Sequence, residues 1–160
     1  MSRVPIRPAQ RGYLQTLRCD APVEHLWRAL VRPEALALWL ADSATVEPHE
    51  GGRYDYRSRL FGPREAVIDA FEPGRRLRLI YGPNPRWPPA GDAVIVEDFL
   101  IDTRPTGMRA RQGQLRVLGS GVPGAADWNA TFKRLQAGWA VAFSYLQRAL
   151  ESRQLERLAS

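Results

Sequence analysis

The 160-residue sequence has little of what cross-links a chain, anchors it in a membrane or exports it. It contains a single cysteine, Cys19, so no internal disulfide can form and a reducing compartment is natural. No window approaches the ~18 consecutive apolar residues that a transmembrane helix needs. The first residues also lack the apolar stretch of a secretory signal. These absences predict a cytoplasmic protein with no membrane span.

Lysine is also nearly absent, because Lys133 is the single lysine among 23 basic residues, although the net charge is +6. The arginines are scattered singly, and the longest run is Arg75-Arg76. Non-specific binding to nucleic acid requires a clustered basic stripe that neutralises many phosphates. We therefore interpret the charge as spread over the surface and predict no nucleic-acid partner.

Patterns for catalysis, cofactors and metals are missing as well. His25 and His49 have no partner at metal-ligand spacing, and no nucleophile elbow or phosphate loop occurs. Residues 119–124 read GSGVPG and match G-x-G-x-x-G, but no second strand with an acidic residue follows, as a dinucleotide site requires. We predict no cofactor and no metal, favour a non-enzymatic role, and interpret 119–127 as a mobile flap.

What is present is a strand-rich middle between helical patterns. A first strand is predicted over 13–18, followed by a short helix that Asp20 caps and a second short helix over 34–40. Further strands are predicted at 53–59, 64–71, 76–81, 94–101 and 108–117, with a proline-rich loop over 82–92. Runs of strands beside segregated helices are typical of an α+β fold with an antiparallel sheet.

The clearest element is a helix that begins near Asp127 and ends near Leu150. Its apolar residues recur at steps of four and three and form one continuous stripe. They are Trp128, Phe132, Leu135, Trp139, Ala142, Leu146 and Ala149. Only a sheet offers an apolar surface long enough to cover this stripe, so we predict a curved sheet of about six or seven strands around the helix. The predicted single domain spans 12–155, with flexible tails at 1–11 and 156–160.

Several short motifs follow one another in a specific order. They are Ala21-Pro22-Val23 with Trp27-Arg28-Ala29-Leu30, Pro33-Glu34 with Trp39, Gly51-Gly52-Arg53-Tyr54, Phe71-Glu72-Pro73 with Arg76-Leu77, Thr106, and Gly138-Trp139 with Leu146 and Leu150. In this order the chain resembles the SRPBCC or START-like superfamily, and within it the activator of heat-shock protein 90 ATPase homologue family (C-terminal-domain type). The resemblance implies a helix-grip fold with a cavity between the sheet and the long helix. It implies no single function, since members bind lipids, carry polyketides, act on aromatic compounds or dock on chaperones.

Two adjacent carboxylates, Glu97 and Asp98, lie in a predicted strand that is otherwise apolar on both faces. Because successive side chains point to opposite faces, one carboxylate must face the covered side of the sheet. We favour Glu97, since the bulky Phe99 then also points inward. A buried carboxylate is costly unless it is paired. Glu97 is thus either a polar anchor or acid/base group in the cavity, or part of a bulge or of an ion pair with Arg57 or Arg109.

Aromatic side chains complete the predicted cavity, although core packing is the simpler explanation of its tryptophans. The candidate ligand-binding residues are Trp39, Tyr54, Tyr56, Glu97, Phe99, Met108, Trp128, Trp139 and Phe143. Gly138 either lets the helix approach the sheet closely or leaves space for a ligand. The pocket is expected to open near 82–92 and 119–127, with Trp87 as a lid or interface residue.

We expect this cavity to bind a small hydrophobic or aromatic molecule. One alternative is an enzyme of the cyclase, hydratase or hydrolase type that uses a cavity carboxylate. Another is a module that interacts with a chaperone or regulator. A protein partner or a homodimer is therefore also open.

Overall fold

The elements follow in an order that confirms the predicted helix-grip α+β fold, in a computed structural model that describes residues 9–104 and 111–158. The strands in this part of the chain are β1 (Gln10–Thr16), β2 (Ala21–Pro22), β3 (Ser43–Val46), β4 (Arg53–Ser58), β5 (Gly62–Glu72), β6 (Arg76–Tyr81), β7 (Val96–Arg104) and β8 (Gln112–Pro123). The helices are α1 (Val23–Val31), α2 (Pro33–Leu36), α3 (Asn129–Glu151) and α4 (Gln154–Arg157), and a 3₁₀ turn at Ala126–Trp128 precedes α3.

All strands belong to one antiparallel sheet in the order β1-β8-β7-β6-β5-β4-β3, and the short β2 also pairs with β8. Strands β3 to β8 form a meander in which each strand pairs with the next along the chain. β1 pairs with β8 at one edge of the sheet, so the first and the last strands of the chain are neighbours there. α3 then packs across the sheet.

Alternation along the strands gives the sheet one apolar and one charged face. In β6, Leu77, Leu79 and Tyr81 are buried, and the intervening side chains are only half-buried. Ion pairs lie on the other face, where Arg76 and Arg78 contact Asp98 and Arg116 contacts Asp102. The period of two therefore decides which face receives α3.

The predicted stripe on α3 is confirmed, since Leu135, Trp139, Ala142, Leu146 and Ala149 are all buried. Gly138 lies on the same face, where a Cβ would overlap the ring of Phe61. The space beside Gly138 is thus occupied by a side chain of the protein. This supports the interpretation that the glycine permits close approach between helix and sheet.

The first helices differ from their predicted ends. α1 begins at Val23 with Pro22 at its N-cap and no side-chain cap, so the prediction that Asp20 caps it was wrong. Residues 21–22 pair with β8 immediately before the helix, which places Asp20 ahead of a strand. α2 ends at Leu36 and turns follow it up to Leu40. The short strand β3 was not predicted.

The predicted flap at 119–127 is also wrong for its first half, because β8 continues to Pro123. Tyr13 pairs with Gly119 and Arg11 with Val122 across the β1–β8 ladder. A Cβ at Gly119 would overlap the ring of Tyr13. This glycine therefore makes space for an aromatic ring in a strand, although by itself it is a loop signal.

Candidate functional site

A buried ion pair lies between the sheet and α3. Glu97 is 0% exposed, and its Oε1 accepts a hydrogen bond of 3.0 Å from Nη1 of Arg64. Its Oε2 accepts hydrogen bonds from the hydroxyl of Tyr13 and, at 2.5 Å, from the indole Nε1 of Trp139. Both carboxylate oxygens are thus bonded, which is the condition under which a charge can be buried without a large penalty.

The prediction that Glu97 faces inward is confirmed, and so is the alternative that it forms an ion pair, but the partner differs. Arg57 is exposed on β4, and Arg109 lies outside the described residues. The partner is Arg64 on β5, whose side chain points to the same face as the buried Ala66 and Ile68. The sequence analysis did not identify Arg64. The alternation of Arg64, Ala66 and Ile68 along the strand could have predicted that the arginine faces the same side as the two apolar residues.

Asp98 faces the opposite side of the sheet. Nε and Nη2 of Arg76 donate to its two oxygens at 2.9 and 2.7 Å. Arg78 approaches the same carboxylate at 3.7 Å. Asp98 is therefore an ordinary ion-pair partner on the charged face, and Glu97 alone reaches the interior.

The guanidinium of Arg64 is enclosed by aromatic rings. Its Cζ lies 3.7 Å from the ring centroid of Tyr81, 5.1 Å from Phe61, 5.6 Å from Trp87 and 5.9 Å from Tyr56. Nη1 also donates to the Tyr56 hydroxyl at 3.0 Å. Nε and Nη2 are buried and have no hydrogen-bond partner among the described residues. Two nitrogens in the centre of the protein, which together carry three N–H groups, are therefore free to bind an added acceptor.

Arg64 stays charged in this environment. Burial alone would lower the pKa of Arg64, but the facing Glu97 carboxylate and the surrounding tyrosines raise it well above its ordinary value. Cation–π contact with the ring of Tyr81 adds further stabilisation of the positive form.

The tyrosines around the ion pair are held neutral. Burial raises the pKa of Tyr13, Tyr54 and Tyr81 well above its ordinary value, and the Glu97 carboxylate raises it further. Burial raises the pKa of Tyr56 to about 12, although Arg64 partly opposes that shift. These phenols therefore act as hydrogen-bond donors over the physiological range.

We expect the protein to lose stability steeply above pH 10. A tyrosine ionises near pH 10 in the unfolded chain, whereas Tyr56 ionises at about 12 in the fold. Its contribution is fully present below pH 10 and falls by roughly 3 kcal/mol between pH 10 and 12. Urea unfolding from pH 9 to 12, with phenolate absorbance read in parallel, measures this. Tyr56→Phe should flatten the decline, and an equally steep decline in that variant would contradict the prediction.

The predicted ligand-binding residues lie mostly inside the packed core. Trp139 packs against Phe61 at 4.9 Å and Phe99 at 5.3 Å between ring centroids, and it also contacts Trp39 and Phe143. Tyr54, Tyr56 and Trp128 are likewise buried. Met108 lies outside the described residues. Side chains thus fill the middle of the space between α3 and the sheet, and a ligand-binding role for these residues stays a prediction.

Two cavities lie at one end of that space. The first, the proline-loop cavity, has a volume of about 540 Å³ and is lined by Tyr81, Gly82, Pro83, Asn84, Trp87, Pro88, Pro89, Ala90, Gly91, Asp92, Ala93, Val94 and Ile95. The second, the arginine cavity, has a volume of about 190 Å³ and is lined by Arg59, Leu60, Phe61, Gly62, Arg86, Trp87, Thr131, Arg134 and Leu135. Trp87 belongs to both linings, so the two cavities adjoin at this residue.

Trp87 is held mainly by other aromatic rings. Its ring centroid lies 6.4 Å from that of Tyr81 and 5.9 Å from that of Trp128, both in edge-on geometry. The Trp128 indole donates to the carbonyl of Pro89 at 3.3 Å, which ties the loop to the beginning of α3. Residues 82–95 contain no helix or strand. Trp87 therefore lies in the part of the site that can move with the least loss of backbone hydrogen bonding.

Among residues 9–104 and 111–158, no three His, Cys, Asp or Glu side chains are grouped so that they could hold a metal ion. None of the helices in this part of the chain is both long and apolar enough to cross a membrane.

Comparison with known proteins places the chain among proteins of similar sequence and fold. The sequence model of the family described as Activator of Hsp90 ATPase homolog 1-like protein matches residues 20–151. No curated protein matches the sequence. A solved structure of protein MLL2253 from Mesorhizobium loti is 26% identical with a TM-score of 0.72, over 89% of this chain and 98% of that one.

Two further structures share the fold alone. The Aha1 dimer from Colwellia psychrerythraea has a TM-score of 0.66 at 19% identity, over 89% of this chain and 96% of that one. DynU16, from the dynemicin biosynthetic locus, has a TM-score of 0.62 at 21% identity, over 89% of this chain and 47% of that one.

Proposed function

The chain belongs to the family of Activator of Hsp90 ATPase homolog 1-like proteins, and on that premise we propose that it binds a small hydrophobic or aromatic ligand in the proline-loop cavity. The observation that carries the proposal is Trp87, which lines both the proline-loop cavity and the arginine cavity and lies on a segment without regular secondary structure. A volume of about 540 Å³ is in the usual range for small-molecule sites.

The proposed site lies at one end of the helix-sheet space. The middle is filled by Trp139 and the rings around it, and these contacts would have to be broken to admit a ligand. At the loop end, the cavities adjoin at Trp87, which is held by edge-on contacts with Tyr81 and Trp128. A ligand ring that replaces these contacts would keep the aromatic surfaces covered.

The prolines of the loop support a preformed cavity. Pro83, Pro85, Pro88 and Pro89 have restricted backbone angles and carry no N–H that needs a partner. The loop is also tied down at its beginning, where Asn84 donates to the carbonyl of Pro63 at 3.0 Å. Such a segment can enclose a cavity with little ordering cost on binding.

Binding is favoured over acid/base catalysis by Glu97. Its two oxygens already accept hydrogen bonds from Tyr13, Arg64 and Trp139. A general base must reach the proton that it removes. We therefore assign Glu97 to holding Arg64 in place. A protein partner or a homodimer stays a prediction, which sedimentation of the purified chain would test.

Titration with N-phenyl-1-naphthylamine, a neutral aromatic probe that fluoresces in apolar surroundings, should show saturable binding and a raised melting temperature. Trp87→Ala should weaken this binding by about tenfold, since it removes the ring that covers the probe. Trp27→Ala is the matched control, because Trp27 packs on Phe71 at 5.2 Å and lines neither cavity. Absence of saturable binding, or equal weakening in both variants, would refute the proposal.

A further inference from the structure

We infer that the natural ligand carries a carboxylate, and that Arg64 binds this carboxylate through its Nε and Nη2. The inference rests on the proposed function, because it names the chemical class of the same ligand. Arg64 is fully buried, yet two of its three guanidinium nitrogens have no hydrogen-bond acceptor among the described residues.

Arg64 is 2% exposed, and a guanidinium has five N–H donors to satisfy. Nη1 donates to Glu97 and Tyr56, whereas Nε and Nη2 have no acceptor among the described residues. A buried donor without an acceptor is unfavourable, and here two such nitrogens share one side chain. A ligand that supplies acceptors removes that cost when it binds.

The two free nitrogens lie along one edge of the guanidinium, and this edge matches the two oxygens of a carboxylate. The protein shows the same geometry elsewhere, because Arg76 binds Asp98 through the same two nitrogens at 2.9 and 2.7 Å. A planar group with two oxygens is therefore the acceptor that satisfies both donors of Arg64 together. A single alcohol or ketone oxygen would satisfy them less well.

Arg64 lines neither cavity itself, but aromatic rings that line them pack against its guanidinium. Phe61 and Trp87 both contact the guanidinium, and both also line the arginine cavity. Tyr81, the ring nearest to the guanidinium, lines the proline-loop cavity. A ligand in either cavity would then reach the guanidinium only after the Trp87 ring has moved aside. The aromatic part of the ligand would then lie under the loop and its carboxylate against Arg64.

The charge around the arginine cavity favours an anion, although Asp92 lines the neighbouring proline-loop cavity. The lining of the arginine cavity includes Arg59, Arg86 and Arg134 and no carboxylate. Among the described residues, Arg86 and Arg134 have no ion-pair partner, and Arg59 has only a distant one, Asp42 at 3.6 Å. The Arg64–Glu97 pair is neutral as a unit, so a bound carboxylate would add one negative charge. The nearby arginines offset that charge and attract the anion.

The test compares 2-naphthoic acid with its methyl ester by titration calorimetry near pH 7.5. The two probes share the ring system, but only the acid offers a carboxylate. We expect the acid to bind at least about tenfold more tightly to the wild-type protein, a difference of about 1.4 kcal/mol. In Arg64→Lys this preference should disappear while the ester binds as before, because an ammonium keeps the charge beside Glu97 without the two-nitrogen edge.

Two further variants make the result independent of any folding defect in Arg64→Lys. Arg134 is exposed at the rim of the arginine cavity. Arg134→Gln should therefore reduce the affinity for the acid several-fold without changing the affinity for the ester. Arg76→Lys is the matched control. Arg76 binds Asp98 through Nε and Nη2 on the opposite face of the sheet, so this substitution should leave the preference for the acid over the ester unchanged.

The possible results distinguish a failure of the carboxylate inference from a failure of the proposed binding function. Equal affinity for acid and ester in the wild-type protein overturns the carboxylate inference and leaves the binding function standing. A preference that persists in folded Arg64→Lys overturns the role of Arg64. If neither naphthoate nor the neutral naphthylamine probe binds, the proposed function itself fails.

Discussion

Replacing Arg64 by methionine should lower the free energy of unfolding by about 3–5 kcal/mol, the usual cost of removing one partner of a buried ion pair. The Glu97 carboxylate would keep its bonds to Tyr13 and Trp139 but lose the positive charge that stabilises it in the interior. Urea unfolding at pH 7, followed by far-UV circular dichroism, measures the change.

The double variant Arg64→Met/Glu97→Gln is the decisive control. It removes both charges and leaves side chains of similar length, so much of the stability lost in Arg64→Met should return. The glutamine can still accept a hydrogen bond from Tyr13 or Trp139. A single variant within about 1 kcal/mol of the wild type would show that the ion pair is not a buried, coupled unit.

Replacing Trp139 by alanine should also cost about 3–5 kcal/mol, the range for truncating a fully buried large aromatic side chain. The indole is 0% exposed, and it packs between Phe61 and Phe99. Its Nε1 also donates to Glu97, so the substitution removes one hydrogen bond from a buried carboxylate. Chemical denaturation measures the loss, and Trp139→Phe should show a smaller one.

Tyr145→Ala on the same helix is the matched control for Trp139. Tyr145 is 43% exposed, so its truncation should change the stability by roughly 0.5 kcal/mol or less. Similar unfolding midpoints for Trp139→Ala and the wild type would show that Trp139 does not anchor α3 to the sheet.

The elements that the sequence predicted well are those with a strong local signal. β6 has the predicted bounds, since Leu77, Leu79 and Tyr81 alternate with Arg76, Arg78 and Ile80 and the turn signal Glu72-Pro73-Gly74 precedes the strand. α3 has nearly the predicted bounds, because its stripe repeats at helical spacing over its whole length. For these elements, each residue's neighbours along the chain are enough to indicate the structure.

The elements that the sequence did not predict depend on distant pairing. Gly119 is a loop signal by itself, yet it lies in β8 because Tyr13 of β1, more than a hundred residues earlier, pairs with it and packs on it. Asp20 looks like a helix cap, but the pairing of residues 21–22 with β8 places a strand between it and α1. Local propensity was outweighed in both cases by strand pairing across the sheet.

The ion pair shows the same division between sequence and structure. Alternation in β7 predicted that one of the two adjacent carboxylates faces inward, and the bulk of Phe99 favoured Glu97, which is the buried one. Only the tertiary structure decided that Arg64 is its partner. The two residues lie on β5 and β7 with β6 between them, roughly 10 Å of strand spacing that the long arginine side chain crosses. The order of the strands in the sheet decides which strands have one other strand between them. The spacing of residues along the sequence does not specify that order.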